Sequence, residues 1–129
     1  MARAVLGIVL LISLLPVPAV GFGHFSGNWS GVWASSRVSQ GGVFVVSISQ
    51  SGSALLGTAA LQGSPCFGAL QIAGVSFGDS FNFVGASGGI TRVSIFGALV
   101  GNTLRATYAV VPSGTPCDTD WGTVNAARP

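Results

Sequence analysis

Apolar and polar residues alternate in short runs along residues 24–129, and glycine, serine, asparagine and proline separate the runs. Period-two alternation in runs rich in Val, Ile, Phe and Thr predicts β-strands with one buried face. Glycine recurs too often in this region to permit a helix of about ten residues. The pattern predicts eight strands, at 28–34, 42–50, 53–61, 68–77, 80–85, 90–100, 103–111 and 121–127.

The connections between these strands fall into two classes. Three of them are two residues long and suit the primed turns of β-hairpins, namely Ser51-Gly52, Gly78-Asp79 and Gly101-Asn102. In an up-and-down meander these three turns lie at one end of the sheet, so the four longer connections share the other end. The longer connections are predicted at 35–41, 62–67, 86–89 and 112–120.

A two-residue turn fixes which residues face each other. Around the first of these turns we expect Ile48 opposite Leu55, and around the third we expect Leu99 opposite Leu104. Each hairpin then has one apolar face and one more polar face. Because no helix is available to cover the apolar face, we expect the sheet to close on itself, which also removes its edges. The predicted fold class is all-β, an eight-stranded antiparallel up-and-down barrel preceded by a signal-peptide helix.

Residues 1–23 have the order of a signal peptide. Arg3 supplies positive charge, and the small residues Ala19 and Gly21 fit the rule for signal-peptidase cleavage. The apolar run at 4–15 is shorter than the roughly 20 residues that a membrane-spanning helix needs. The alternative is an uncleaved anchor. We therefore predict an exported protein, periplasmic or secreted, with a signal peptide followed by a single β-barrel domain at 24–129.

Charged residues make up 6% of the chain, against about 25% in an ordinary soluble domain. The formal net charge of +2 is too small for a nucleic-acid footprint. So few titratable groups exclude most acid–base enzymes, which need a positioned proton donor and acceptor. Arginine without lysine, together with abundant alanine, glycine and valine, indicates a GC-rich bacterial source. We predict a protein with no enzymatic activity, no cofactor and no nucleic-acid partner.

The two cysteines, Cys66 and Cys117, predict one disulfide in an oxidising compartment. The alternative is a pair of buried free thiols. Both cysteines lie in long connections, four strands apart, so the bridge would draw these loops across the long-loop end. Closing a loop of roughly 50 residues is worth about 4 kcal/mol in the chain-entropy model. No further Cys or His stands at ligand spacing, so we predict no metal site.

Three other polar residues are candidates for chemistry. Asp118 and Asp120 lie two residues apart in the longest connection and are interpreted either as part of a cation site or as turn-capping residues. His24, the only histidine, lies beside the predicted mature N-terminus. A flexible, solvated imidazole is the expectation there, rather than a member of a catalytic triad.

Gly27-Asn28-Trp29 forms a G-x-W motif at the first strand, and Arg128 follows the last strand. Both places belong to the tight-turn end. The chain in this respect resembles the calycin superfamily of lipocalins, avidins and fatty-acid-binding proteins. In that superfamily a first-strand tryptophan packs under an arginine from the end of the barrel, so the resemblance implies a closed-end pair of Trp29 and Arg128. The chain is shorter than a lipocalin and lacks its C-terminal helix, so the resemblance extends to the fold and not to a ligand.

Several aromatic residues are candidates for lining a ligand site. Small-molecule pockets are mostly apolar, with a few polar groups that fix the orientation of the ligand. The alternation places Trp33, Phe44, Phe83 and Tyr108 on the inward face towards the long-loop end, while Trp121 begins the last strand with its facing undecided. The alternative is that these rings simply fill the core, which a domain of this size needs.

The leading interpretation is an exported, non-enzymatic barrel that binds a small apolar ligand at the long-loop end. The first alternative is a structural or protein-interaction module with a filled core, and a filled interior would favour it. The second is an outer-membrane barrel, which needs an apolar lipid-facing band and strands of about 9–11 residues. Apolar residues on the outward face predict self-association or a protein partner. These residues are Val43, Val45, Leu56, Phe96 and Val100.

Overall fold

The computed structural model describes residues 24–66, 68–112, 114 and 117–129. The predicted signal-peptide helix lies outside these residues. Eight β-strands form in the described part, at positions close to the predicted ones. They are β1 (Gly27–Ser35), β2 (Gly41–Ser51), β3 (Ala54–Leu61), β4 (Ala69–Phe77), β5 (Ser80–Ser87), β6 (Ile90–Val100), β7 (Thr103–Val110) and β8 (Trp121–Ala127).

The strands form a closed barrel in which each strand pairs with its neighbours in the sequence, and β1 pairs antiparallel with β8. The prediction of an all-β, eight-stranded antiparallel meander barrel is confirmed. None of the described residues belongs to a helix that could cross a membrane.

The interior is built from the alternating apolar residues. In β8, for example, Gly122, Val124 and Ala126 are buried while the residues between them are exposed. An eight-stranded barrel is narrow enough for side chains to fill. Every member of the core is at most 4% exposed. The core consists of Phe25, Trp29, Trp33, Phe44, Val46, Ile48, Leu55, Ala59, Leu61, Leu70, Ile72, Phe81, Phe83, Val93, Ile95, Leu104, Tyr108, Val124 and Ala126.

Three tight turns share one end, which we call the closed end, and the opposite end is the mouth. The turns Gly78-Asp79 and Gly101-Asn102 were predicted correctly, because Phe77 pairs with Ser80, and Leu99 with Leu104. The β2–β3 turn is Gly52-Ser53 rather than Ser51-Gly52, since Ser51 pairs with Ala54.

The pairing around the β2–β3 turn is consequently offset from the prediction. Ile48 lies opposite Gly57, and Leu55 lies opposite Gln50. The prediction that Ile48 faces Leu55 was wrong by two residues. An offset of two leaves every side chain on its predicted face, because the side-chain period of a strand is two.

One connection at the mouth is shorter than predicted. The predicted loop at 86–89 is a two-residue turn at Gly88 and Gly89, both with positive φ, of 61° and 78°. Pairing continues to Ser87 and Ile90, past a register shift between Gly85 and Ala86. The mouth is therefore bounded mainly by the other three connections.

Two inward-facing glycines show how so small a barrel closes. A Cβ atom on Gly57 would overlap the carbonyl oxygen of Ser47, and one on Gly97 would overlap that of Arg105. Each of these oxygens belongs to the neighbouring strand. Glycine at these points lets adjacent backbones approach closely where the sheet curves.

Candidate functional site

Two of the predicted ligand-lining residues meet beneath the mouth. The ring of Trp33 contacts that of Tyr108 edge to face, with centroids 6.3 Å apart. Trp33 is 2% exposed and Tyr108 is 0% exposed. The indole N–H of Trp33 donates a hydrogen bond of 2.9 Å to the backbone carbonyl of Gln62. Both the ring and its polar edge are thus engaged by the protein itself.

The hydroxyl group of Tyr108 is held by a carboxylate. It donates a hydrogen bond of 3.0 Å to Oδ2 of Asp120, and the hydroxyl of Ser35 donates one of 2.6 Å to Oδ1. Burial, then the hydrogen bond to Asp120 and the charge of that carboxylate, raise the pKa of Tyr108 well above its ordinary value. We call Ser35, Tyr108 and Asp120 the mouth latch, since they tie β1 and β7 to the segment that enters β8.

The predicted disulfide is present at the mouth. Cys66 and Cys117 are bonded, with Cα atoms 5.8 Å apart. Cys66 also packs against the core. The bridge joins the β3–β4 connection to the β7–β8 connection, and Asp120 follows Cys117 by three residues. The covalent bond therefore restrains the segment that supplies the carboxylate of the mouth latch.

The other two inward aromatics lie deeper. Phe83 is stacked on Phe81, with ring centroids 5.2 Å apart, and Phe81 meets Phe25 edge to face at 5.5 Å. This column of rings runs from the middle of the barrel to the closed end. Phe44 is 1% exposed, in β2 opposite Leu61.

The structure brings Trp29 and Arg128 together at the closed end. The guanidinium carbon of Arg128 lies 4.2 Å from the centre of the Trp29 ring. The same guanidinium donates a hydrogen bond of 3.0 Å to the carbonyl of Ser26, and the indole N–H of Trp29 donates one of 2.9 Å to the carbonyl of Phe25.

Phe25 and Gln50 complete the closed end, and sequence reasoning missed both. Phe25 is fully buried, and its backbone N–H donates a hydrogen bond of 2.9 Å to Oε1 of Gln50. Nε2 of Gln50 donates one of 3.0 Å to the carbonyl of Gly52. Strand alternation could have identified Gln50, because it lies two residues after Ile48 and shares its inward face. Phe25 precedes the first strand, where alternation gives no signal.

Two open spaces of the described part are lined mainly by residues outside the core. One of about 490 Å³, which we call the mouth cleft, is bordered by Arg37, Gln40, Pro65, the disulfide and Asp120. A second, of about 630 Å³, lies over the outer face of β1, β2 and β3 beside the C-terminal residues. Neither is lined by any of the four inward aromatics. Trp121 points outward and is 51% exposed.

The remaining polar candidates are Asp118 and His24. The carboxylate of Asp118 accepts a hydrogen bond of 2.7 Å from the backbone N–H of Gly114, as a turn-capping residue does. His24 is exposed. Among the residues that the structure describes, no three His, Cys, Asp or Glu side chains are close enough to hold a metal ion.

The outer face of β3, β4 and β5 carries an uncharged surface that we call the apolar wall. The register places Ala73 between Leu56 and Val84, and Val75 and Phe77 follow Ala73 on the same face of β4. Phe77 is 88% exposed, and the other three large side chains are 39–59% exposed. The apolar wall consists of Leu56, Ala73, Val75, Phe77 and Val84.

The opposite side of the barrel carries a cluster of polar residues. On the outer faces of β7 and β8, Arg105 pairs with Asn125, and Thr107 with Thr123. We call these four residues the polar face. Of the predicted exposed apolar residues, Val43, Leu56, Phe96 and Val100 are exposed, and Val45 is half-buried.

The chain matches no protein-family model, no curated protein and no solved structure. Its closed, eight-stranded antiparallel barrel is consistent with the calycin-like fold that Gly27, Trp29 and Arg128 suggested.

Proposed function

We propose that this protein is an exported, non-enzymatic interaction module, in which a filled barrel carries a contact surface on its apolar wall. The observation that carries the proposal is the burial of the inward aromatic side chains. Trp33, Phe44, Phe83 and Tyr108 are at most 2% exposed. The alternative with a filled core therefore has more support than binding of a ligand inside the barrel. In this proposal the calycin-like pair of Trp29 and Arg128 serves stability alone.

The apolar wall supports the second half of the proposal. Its residues are uncharged, exposed and adjacent to one another on three neighbouring strands. Large exposed apolar patches on soluble proteins mark interaction sites. Phe77, the most exposed large apolar residue in the part of the chain that the structure describes, has no evident role in the fold, so we assign it to contact with a partner.

Photo-crosslinking in the producing cells tests this proposal. A photoreactive amino acid replaces Leu56 in the apolar wall and, as the matched control, Thr123 in the polar face. Both positions are outward and lie in the middle of strands, so neither replacement disturbs the core. We expect protein adducts from position 56 and none from position 123. Equal adduct yields at the two positions, or none at either, would overturn the proposal.

A second candidate function is the binding of a small ligand in the mouth cleft. It is favoured by the volume of about 490 Å³ beside the disulfide, where Val38 and Pro65 supply apolar surface and Arg37 and Gln40 supply polar groups. Native mass spectrometry of the protein purified from its own host tests it. A retained molecule that is lost on substitution of Val38 by Asp would establish this function. The mass of the bare chain alone would leave the apolar wall as the functional surface.

A further inference from the structure

We propose that the apolar wall binds a second copy of this chain, in a symmetric dimer whose two-fold axis passes over Val75 of β4. This inference rests on the proposed function and identifies its partner. In a symmetric interface the same surface must be complementary to itself. The apolar wall has the features that this requires, a projecting residue and a depression at equal distances from one point.

The projection is Phe77 and the depression is Ala73. Each lies two residues from Val75 on the outer face of β4, on opposite sides of it, and they are roughly 13 Å apart at about 3.3 Å per residue. Ala73 carries a small side chain between Leu56 and Val84 on the flanking strands. A ring seated over Ala73 would therefore contact Leu56 on one side and Val84 on the other.

The two-fold axis lies between the two walls, perpendicular to β4, and passes over Val75. Rotation about this axis makes the two β4 strands antiparallel. Position 73 of one copy then faces position 77 of the other, and this contact occurs twice in the dimer. Each Phe77 ring fills the depression of the opposite copy, and the two Val75 side chains meet at the axis. Other placements of the axis would set Phe77 against its own counterpart or against solvent.

Charge disfavours a charged partner surface and is compatible with a second copy. None of the five wall residues is charged, so a charged partner surface would lose hydration without gaining an ion pair. Asp79, the nearest acidic residue along the chain, lies two positions beyond Phe77 and would face Gln71, which is uncharged. Two copies can thus meet without bringing like charges of the wall together.

The outer surface of a barrel is convex, so two walls touch along a strip rather than over their whole area. Interfaces of such limited size are at the weak end of specific association. We therefore expect a dissociation constant in the micromolar range, with monomer and dimer in exchange.

Sedimentation velocity over a range of concentrations measures the dimer directly. Phe77→Ser should weaken dimerisation by at least about tenfold, since a central buried aromatic ring is a typical interface hot spot. Val32→Ser is the matched control, because Val32 is 57% exposed on β1, outside the apolar wall. It should leave the dissociation constant unchanged. A wild-type protein that stays monomeric at millimolar concentration, or equal effects of the two variants, would overturn the inference.

A charge exchange locates the axis. Ala73→Asp and Phe77→Arg should each abolish the dimer. The double variant should regain it, because the introduced carboxylate of each copy would then face the introduced guanidinium of the other. Both positions are exposed, so the variants should fold, as circular dichroism would check. A double variant as weak as the single ones would refute this axis.

The outcomes for the partner and for the proposed function are distinguishable. Photo-adducts from position 56 at twice the mass of the chain support the dimer. Adducts of another mass, together with a strictly monomeric purified protein, would overturn the second copy as partner while leaving the apolar wall as a contact surface.

Discussion

The two ends of the barrel are closed by different physical means. At the closed end, Phe25 and Trp29 are buried rings supported by hydrogen bonds to backbone groups and to Gln50. At the mouth, a disulfide and the carboxylate of Asp120 join segments that are distant in the sequence. Apolar burial responds to neither reductant nor moderate changes of pH, whereas a disulfide responds to reductant and a phenol–carboxylate hydrogen bond responds to pH. Reductant or alkaline pH should therefore destabilise the mouth more than the closed end.

The largest effect is expected from removing the ring that the closed end is built around. Trp29→Ala should lower the free energy of unfolding by about 3–5 kcal/mol, because it empties a fully buried site and leaves the carbonyl of Phe25 without its donor. Trp121→Ala removes the same side chain from an exposed position and should cost no more than about 0.5 kcal/mol. Denaturant unfolding measures both. Similar losses for the two variants would contradict the assignment of Trp29 to the closed end.

The next largest effect concerns the disulfide. Replacing both Cys66 and Cys117 by Ala should lower the free energy of unfolding by about 2–4 kcal/mol, because the unfolded chain loses a crosslink that spans 51 positions. Added reductant should destabilise the wild-type protein by a similar amount and should have no effect on the double variant. Amide hydrogen exchange should accelerate at the mouth and stay unchanged near Phe25. Uniform acceleration over the whole barrel would show that the two ends are not independent.

Alkaline pH provides a smaller and more local test. Tyr108 is the only tyrosine, the chain has no lysine, and the cysteines are bonded. The folded state holds the pKa of Tyr108 above that of the unfolded chain, which is near 10. The stabilisation linked to the Tyr108 proton is therefore fully present below about pH 10. As the pH rises from there towards the folded pKa, the free energy of unfolding falls by about 1.4 kcal/mol per pH unit.

Tyr108→Phe is the control for this titration, because it removes the titrating group while it keeps the ring. Its free energy of unfolding should stay flat over the alkaline range in which that of the wild type falls. Phenolate absorbance in the wild type should appear only as the protein unfolds. A phenolate that forms near pH 10 in the folded protein would rule out the mouth latch.

The smallest effect is expected at the rim of the closed end. Arg128→Met keeps the aliphatic stem but removes the charge above the Trp29 ring and the hydrogen bond to the carbonyl of Ser26, so it should cost about 0.5–1 kcal/mol. Arg105→Met on the polar face is the matched control and should change stability by less than about 0.5 kcal/mol. Thermal unfolding of the two variants side by side makes the comparison. An equal or larger loss for Arg105→Met would show that the contacts of the Arg128 guanidinium add nothing to stability.

Much of the fold was predictable because strand alternation is a property of consecutive residues. The one misplaced turn is instructive. In Gly78-Asp79 and Gly101-Asn102 the glycine stands first and has positive φ, of 62° and 63°. The same rule applied to the β2–β3 turn gives Gly52-Ser53, with φ of 60° at Gly52, as observed. In all three turns the position of the glycine therefore marks the first turn residue, because glycine adopts positive φ without steric cost.

The candidate site was less predictable because its contacts join residues that no local pattern connects. Pairing the cysteines needed only their number, and bringing Trp29 to Arg128 needed only the topology. The hydrogen bond between Tyr108 and Asp120 depends on the path of an irregular connection, which alternation does not describe. Whether the inward rings leave a cavity depends on side-chain packing, which strand facing alone does not determine.

The central claim is that the core side chains fill the barrel from the closed end to the mouth. Methyl NMR spectra under xenon pressure test it most directly, because xenon enters apolar cavities. We expect the methyl signals of Leu61, Leu70, Ile95 and Val124 to show no saturable shift with xenon. Saturable shifts of these buried methyl groups would reveal an interior cavity and would contradict the claim.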